Sequence, residues 1–306
     1  MLKESDAQSE ALERIRVSAV SKRKWKEREM RRIVLLTACV CLAGAVSSAH
    51  ALMLYGVSYD EQIWKIDRAT GAIELYKNTP GLRWFGATDG PSDESFFATG
   101  DGGSLFKIDI AADTVTAIGT YGGSVRLRSL AYADPVSPAT EGILYGSDYQ
   151  NLYTIDLVTG VATLIGPIKP VGELFVGVWS MDYDPVAQAL FITNLVNNPI
   201  THAITTKLYT VNPANAEATL VGEIAGALPI ADIWYDRDSG KMFGVTQVNG
   251  QLYEIDTATA GATPIGTAPG ENILGLAGAM IPEPGMLMLL GLSVLGVLRA
   301  GRRSVR

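Results

Sequence analysis

From residue 52 to residue 280 the chain consists of short segments in which apolar and polar positions alternate with a period of two, the mark of half-buried strands. The segments keep a fixed order. Leu144-Tyr145-Gly146 is followed by Asn151-Leu152-Tyr153-Thr154-Ile155-Asp156, then Thr159-Gly160, then Ala162-Thr163-Leu164-Ile165-Gly166. The series returns as Met242-Phe243-Gly244, Gln251-Leu252-Tyr253-Glu254-Ile255-Asp256 and Ala262-Thr263-Pro264-Ile265-Gly266. Leu54-Tyr55-Gly56 leads a copy that continues through Gln62-Ile63-Trp64-Lys65-Ile66-Asp67 and Thr70-Gly71. Another joins Phe96-Phe97-Ala98 to Ser104-Leu105-Phe106-Lys107-Ile108-Asp109 and Ala117-Ile118-Gly119. The last, with Leu190-Phe191-Ile192 and Leu208-Tyr209-Thr210-Val211-Asn212, is stretched by a loop at 194–206.

Aligned on Asp67, Asp109, Asp156, Asn212 and Asp256, the copies are 42, 47, 56 and 44 residues apart. That is the period of a four-stranded propeller blade. The additional strand precedes each Leu-Tyr-Gly: Trp84–Ala87, Ser129–Tyr132, Val178–Met181 and Ile233–Tyr235. These segments read as apolar on both faces, as strands packed between neighbouring blades should be. The copy at Leu54 has no such strand ahead of it, whereas a spare one, Ile273–Ala279, follows the copy at Met242. Closing the ring with that C-terminal strand completes the first blade and hides the sheet edges. The expected fold is therefore all-β, a five-bladed propeller over residues 52–280. Six blades, with 194–206 supplying a degenerate one, is the alternative count. Pro264 falls in the last strand of its blade, at an edge where a missing N–H does least harm.

The two ends follow a different pattern. Met30-Arg31-Arg32 leads into Ile33–Val46, fourteen mostly apolar residues that end near Ala49-His50-Ala51. A basic start, a short apolar run and small residues at two alternate positions describe a secretory signal peptide over 30–51, read at Ala49 and Ala51 and cleaved after Ala51. Residues 1–29 are charged and lie outside the fold as a disordered extension, and Met30 offers a second start. At the other end, Ile281-Pro282-Glu283-Pro284 is followed by fourteen mostly apolar residues, Gly285–Leu298, and then by Arg299, Arg302, Arg303 and Arg306. As a helix those fourteen rise about 21 Å, short of a hydrocarbon core of ~30 Å. Extension through Ala300 and Gly301, with Arg299 snorkelling, gives an expected membrane helix at 285–301. Arginines beyond it belong on the cytoplasmic side and leave the domain outside.

A Pro-Glu-Pro triplet, a short Leu/Gly-rich helix and an Arg-rich end, in that order, resemble the PEP-CTERM sorting signal. The resemblance covers residues 281–306 and makes Pro282, Glu283 and Pro284 the sorting motif. It implies recognition by exosortase, a membrane-embedded processing enzyme of Gram-negative bacteria, and an association with exopolysaccharide and biofilm. The chain would be a processing substrate of signal peptidase and exosortase, transiently anchored in the inner membrane and then placed at the cell surface or outside. The two prolines hold the triplet extended, as an enzyme gripping it requires.

Charge and cysteine content narrow the chemistry. Eleven Lys/Arg against 26 Asp/Glu lie between residues 52 and 284, a balance of −15. Such a field excludes nucleic acid as a partner. Cys39 and Cys41 both lie in the leader, so a processed domain has neither disulfide nor thiolate.

Inside the repeat the conserved-looking polar positions have structural explanations. The recurring Asp, with Thr-Gly after it at 67–71 and 156–160, is a turn signature, and Asn212 keeps the acceptor without the charge. Asp113, Ala216 and Ala260 stand where other copies have glycine, which predicts altered turn geometry there. Gly100-Asp101-Gly102-Gly103-Ser104 reads as a hairpin loop. His202, in the 194–206 loop, is the one histidine of the processed domain. No residues mark a catalytic site, a metal site or a cofactor. Tyr55, Trp64, Tyr145, Tyr153, Trp179, Tyr209, Trp234 and Tyr253 are expected to pack the blades, with some facing the channel where rings stack on sugars. The expected function is a non-catalytic surface or matrix binding protein, with extracellular polysaccharide as a partner. The alternative is a propeller hydrolase or lyase with its site at a channel mouth.

Overall fold

Pairing of the expected strands defines five sheets. The structure, a computed structural model, describes residues 52–92, 94–134, 142–170, 177–197, 204–226 and 229–280. The expected signal helix, Ala49, Ala51, the triplet Pro282-Glu283-Pro284, the helix at 285–301, Arg299, Arg302, Arg303, Arg306 and His202 lie outside the described residues.

Blade 1 contains β1 (Leu52–Val57), β2 (Gln62–Ile66) and β3 (Ile73–Asn78), with β21 (Gly275–Met280) as its inner strand. Ring closure is thus as expected: β21 pairs antiparallel with β1 from Leu52↔Met280 to Val57↔Gly275. Blade 2 is β4 (Trp84–Asp89), β5 (Ser95–Gly100), β6 (Ser104–Asp109) and β7 (Thr114–Thr120). Blade 3 is β8 (Ser129–Ala133), β9 (Ile143–Ser147), β10 (Asn151–Ile155) and β11 (Ala162–Pro167). Blade 4 is β13 (Val178–Asp184), β14 (Ala189–Asn197), β15 (Ile204–Val211) and β16 (Glu217–Ile224), with β12 (Lys169–Pro170) added in parallel to its outer edge. Blade 5 is β17 (Ile230–Asp236), β18 (Lys241–Thr246), β19 (Leu252–Ile255) and β20 (Ala262–Ile265).

No sixth blade forms from the 194–206 region among the described residues. β14 and β15 pair as far as Asn197↔Ile204, so 194–197 and 204–206 extend two strands of blade 4. Pro264 lies in outer strand β20, opposite Tyr253.

The core is divided among the blade interfaces. Between blades 1 and 2 pack Tyr55, Trp84, Phe96 and Ile108; between blades 3 and 4, Leu152, Met181, Ile192 and Tyr209. Blades 5 and 1 share Leu54, Trp234 and Leu276, so the closing strand is held by side chains as well as by its ladder. Each fully buried Leu or Ile contributes roughly 1.5–3 kcal/mol. Outer strands add to these interfaces through a recurring bulge: Tyr76, Ile118, Ile165 and Val221 are each skipped by the register and packed inward.

The repeated Asp residues serve the turns. Asp67 Oδ1 accepts from the N–H groups of Ala69 and Thr70, and Asp156 and Asp256 repeat the pair at Val158/Thr159 and Ala258/Thr259. Asn212 accepts from Ala214. The expected change of geometry does not occur, however. Asp113, Ala216 and Ala260 keep left-handed backbone, at φ 52°, 58° and 60°, alongside Gly71 at 69° and Gly160 at 74°. The carbonyl and side-chain bonds that close each turn, together with the neighbouring blade, hold a conformation these residues disfavour on their own.

The inner strands run beyond the apolar segments read from the sequence, and the added positions are partly charged. Asp182 and Asp232 are buried in β13 and β17. An inner strand is the edge of its sheet, so its unpaired N–H groups face the channel and need acceptors. Asp232 (blade 5) accepts from Leu276 N–H of β21 at 2.8 Å and Ile233 N–H at 3.1 Å. Asp89 (blade 2) takes Gly278 N–H of β21 at 2.7 Å and Trp234 Nε1–H at 2.6 Å. Asp182 (blade 4) takes Tyr235 N–H, and Thr88 Oγ1–H points to it at 3.4 Å while accepting Tyr132 N–H at 3.0 Å. Three carboxyl groups and one hydroxyl thereby join all five inner strands.

Candidate functional site

The inner strands share one irregularity. Phe85, Trp179 and Ala231 are skipped where β4, β13 and β17 pair with their neighbours: Trp84↔Gly100 is followed by Gly86↔Thr99, and likewise around the other two. In the remaining blades two residues also face one. Arg128 N–H bonds the Ser147 carbonyl while Ser129 pairs Ser147, and Leu274 N–H bonds the Val57 carbonyl while Gly275 pairs Val57. A bulge turns its extra side chain out of the sheet's alternation. Here each of the five blades turns one such residue toward the same end of the channel.

Just past the bulges the strands converge. A Cβ on Gly86 would lie 2.4 Å from the Arg128 carbonyl oxygen, so only glycine admits that approach. The bulge residues stand around this constriction. Phe85, Arg128, Trp179, Ala231 and Leu274, with loop residues Tyr59, Tyr149, Gln247 and Asn272, line a basin of about 290 Å³.

Its walls are rings in fixed relation. Tyr149 and Trp179 meet edge to face at 5.9 Å and 64°, as do Tyr59 and Phe85 at 5.6 Å and 65°. The Arg128 guanidinium sits 4.0 Å from the Phe85 ring centre and 5.6 Å from that of Tyr149. Arg83 covers Tyr59 and donates to its hydroxyl at 3.0 Å. Asn272 Oδ1 is buried and has no hydrogen-bond partner among the described residues.

The opposite mouth has different chemistry. A pocket of about 240 Å³ is lined by Asp89, Asp134, Asp236, Asp238 and Arg237, together with Trp234, Ser92 and Gly278. Arg237 bonds Asp134 and donates to the Tyr132 carbonyl at 2.6 Å, with Asp89 3.7 Å away. Asp236 is engaged by Arg68, Ser239 and the Asp238 N–H. Burial pushes the Asp89 and Asp182 carboxyls above the usual range against the opposing pull of Arg237, and burial does the same to Asp232. Raised carboxyl pKa values often mark acid–base sites. In this channel the same groups accept from backbone N–H groups of neighbouring blades, which accounts for their presence. Among the described residues no group of three or more His, Cys, Asp or Glu is placed to hold a metal ion.

Of the aromatic residues singled out in the sequence, Trp179 lines the basin and Trp234 the opposite mouth. Tyr55, Tyr145, Tyr153, Tyr209 and Tyr253 are core. Phe85, Arg128, Tyr59 and Tyr149 escaped that reading. The available signal was the small or short residue after each bulge (Gly86, Ser129, Ser180, Asp232, Gly275), which fixes equivalent positions across copies that share no side chain.

No protein-family model matches the chain, and no curated protein matches it. Among solved structures the chain is similar to one in the crystal structure of the nidogen/laminin complex, at 10% identity and a TM-score of 0.52, over 74% of this chain and 98% of that one. It is also similar to a structural genomics protein of unknown function from Bacteroides thetaiotaomicron VPI-5482, at 16% identity and a TM-score of 0.48, over 75% of this chain and 64% of that one. The first likeness shows the fold and nothing further. The class defined by fold and mouth together is a five-bladed β-propeller with an aromatic basin at one end of its channel.

Proposed function

We propose that the chain is an exported, non-catalytic binding protein of the cell surface or extracellular matrix, and that its ligand site is the basin ringed by Phe85, Arg128, Trp179, Ala231 and Leu274. The single observation that carries the binding half is the composition of that basin. Rings, a guanidinium and two carboxamides line it, and none of its lining residues is a carboxylate, imidazole or thiol. Such a wall orients and holds a ligand through stacking and hydrogen bonds, while a hydrolase or lyase needs a base or nucleophile within reach. The delivery half rests on the leader at 30–51 and on the resemblance of 281–306 to the PEP-CTERM signal, with signal peptidase and exosortase as processing partners.

Incubation with short oligosaccharides, read by calorimetry and then by chromatography of the recovered ligand, tests the binding half. Saturable binding is expected, with the oligosaccharide recovered intact and binding weakened in Trp179→Ala. Release of cleaved products would establish the hydrolase or lyase reading instead. For delivery, replacing Pro282, Glu283 and Pro284 by alanine should leave the protein in the inner-membrane fraction. Unchanged release would remove the sorting claim.

A further inference from the structure

We infer that the basin selects a sugar ring bearing a carboxylate, a uronate unit of an acidic saccharide, and that Arg128 is the residue that makes the choice. The inference deepens the reading of this mouth as a ligand site and rests on it.

Arg128 is the one charged residue among the nine that line the basin. Its guanidinium carbon lies over the Phe85 ring at 4.0 Å and 5.6 Å from the centre of the Tyr149 ring, and the guanidinium N–H groups make no hydrogen bond among the described residues. No carboxylate among the described residues pairs with it. The acids nearby are already engaged: Asp148 accepts from Tyr153 Oη at 2.7 Å and from Asn151, and Glu61 accepts from Gly81 N–H at 2.8 Å. A planar fork seated over Phe85, with no counter-ion among the described residues, matches a carboxylate, which accepts two parallel N–H bonds.

The remaining wall supplies the rest of a sugar. Tyr149 and Trp179, set at 64° to one another, form a corner of two ring surfaces against which the C–H face of a pyranose packs. Asn272 and Gln247 add two carboxamides to the wall, groups that both donate to and accept from ring hydroxyls. At about 290 Å³ the basin holds one ring, at the small end of the ~300–1,000 Å³ of ligand pockets, and leaves the neighbours of that ring outside. The net balance of −15 between residues 52 and 284 disfavours a long polyanion overall, so recognition of an acidic sugar has to be local.

Calorimetric titration of the full chain with a short oligouronate, its carboxyl-reduced neutral counterpart and a nucleoside monophosphate tests the inference. The oligouronate should bind about ten- to a hundredfold tighter than the neutral sugar, the fold-change of one bidentate charge-assisted contact. In Arg128→Gln the ratio of the two affinities should fall to about one, whatever loss of affinity the two sugars share. Arg128→Lys should restore part of it, because the charge returns without the fork. Equal affinity for the two sugars in the native chain, or a preference for the nucleotide, overturns the inference and leaves a binding mouth in place. Failure of every ligand to bind overturns both.

Discussion

Lys77 Nζ donates to both the side-chain Oδ1 and the main-chain carbonyl of Asp113, at 2.7 Å each, and so joins the outer strand of blade 1 to a turn of blade 2. At two other junctions of the ring the contact is bare backbone. Gly119 of blade 2 lies against Thr159 and Gly160 of blade 3, and Gly266 beyond blade 5 lies against Thr70 and Gly71 of blade 1. In the pair of blades joined by Lys77, both glycines of the repeat are replaced, and a long cation reaches an acid across the gap.

That junction sets the titration of Asp113. The hydrogen bond from Lys77, with a second from Tyr76, holds its carboxyl below the usual range. Lys77→Met should bring the Asp113 pKa up toward the ordinary value of about 3.9, observable by NMR titration of its carboxyl carbon. A depressed pKa stabilises above the ordinary value and is lost as pH falls through the lowered one, so the variant should be slightly less stable at neutral pH and converge on the native chain in acid, where Asp113 is protonated in both.

The glycine junctions should be intolerant of a methyl group. A Cβ on Gly119 would stand 2.0 Å from the Thr159 carbonyl oxygen, whereas one on Gly166 meets nothing within 4 Å. Denaturant unfolding should show Gly119→Ala destabilised by about 1–3 kcal/mol, the usual cost of overpacking, and Gly166→Ala unharmed.

Asp232 ties the closing strand to blade 5 through Leu276 N–H and Ile233 N–H, at 2.8 and 3.1 Å. Removing the acceptor in Asp232→Ala strands buried donors, at about 1–3 kcal/mol each. Asp232→Asn, which keeps an acceptor oxygen, should be milder. Hydrogen exchange at Leu276 reports the difference, and it should quicken in the alanine variant ahead of exchange at Leu105 in blade 2.

The channel carboxyls also give the fold a pH dependence of definite sign. Burial raises Asp182 in the folded state, with the nearby Asp89 charge adding to it. The folded chain therefore binds this proton more tightly than the unfolded chain does. The contribution is complete below the ordinary carboxyl pKa of about 3.9 and falls as pH climbs toward and beyond neutrality. An amide reproduces the protonated acid, its oxygen accepting from Tyr235 and its NH2 donating to Thr88. Asp182→Asn should match the native chain near pH 4 and exceed it in alkaline urea unfolding, with a shallower slope of stability against pH.

Strand order, ring closure and the turn role of Asp67, Asp156 and Asp256 were legible because each rests on local chemistry repeated at a fixed interval. The left-handed backbone at Asp113, Ala216 and Ala260 was not, since a neighbouring blade imposes it and the residue's own preference argues against it. Buried Asp182 and Asp232 were hidden for a related reason: their partners are backbone groups of inner strands far away in sequence. The basin was least legible of all. Its five bulge positions carry Phe, Arg, Trp, Ala and Leu, so the backbone repeats while the side chains do not, and alignment by residue type passes over them.

Mass-spectrometric mapping of both ends of the protein recovered from cells and medium tests delivery most directly. The expected product begins at Leu52, directly after Ala51, lacks the Arg-rich residues 299–306, and is found outside the cytoplasm. A folded cytosolic chain that retains residues 30–51 and the complete tail contradicts the exported reading outright.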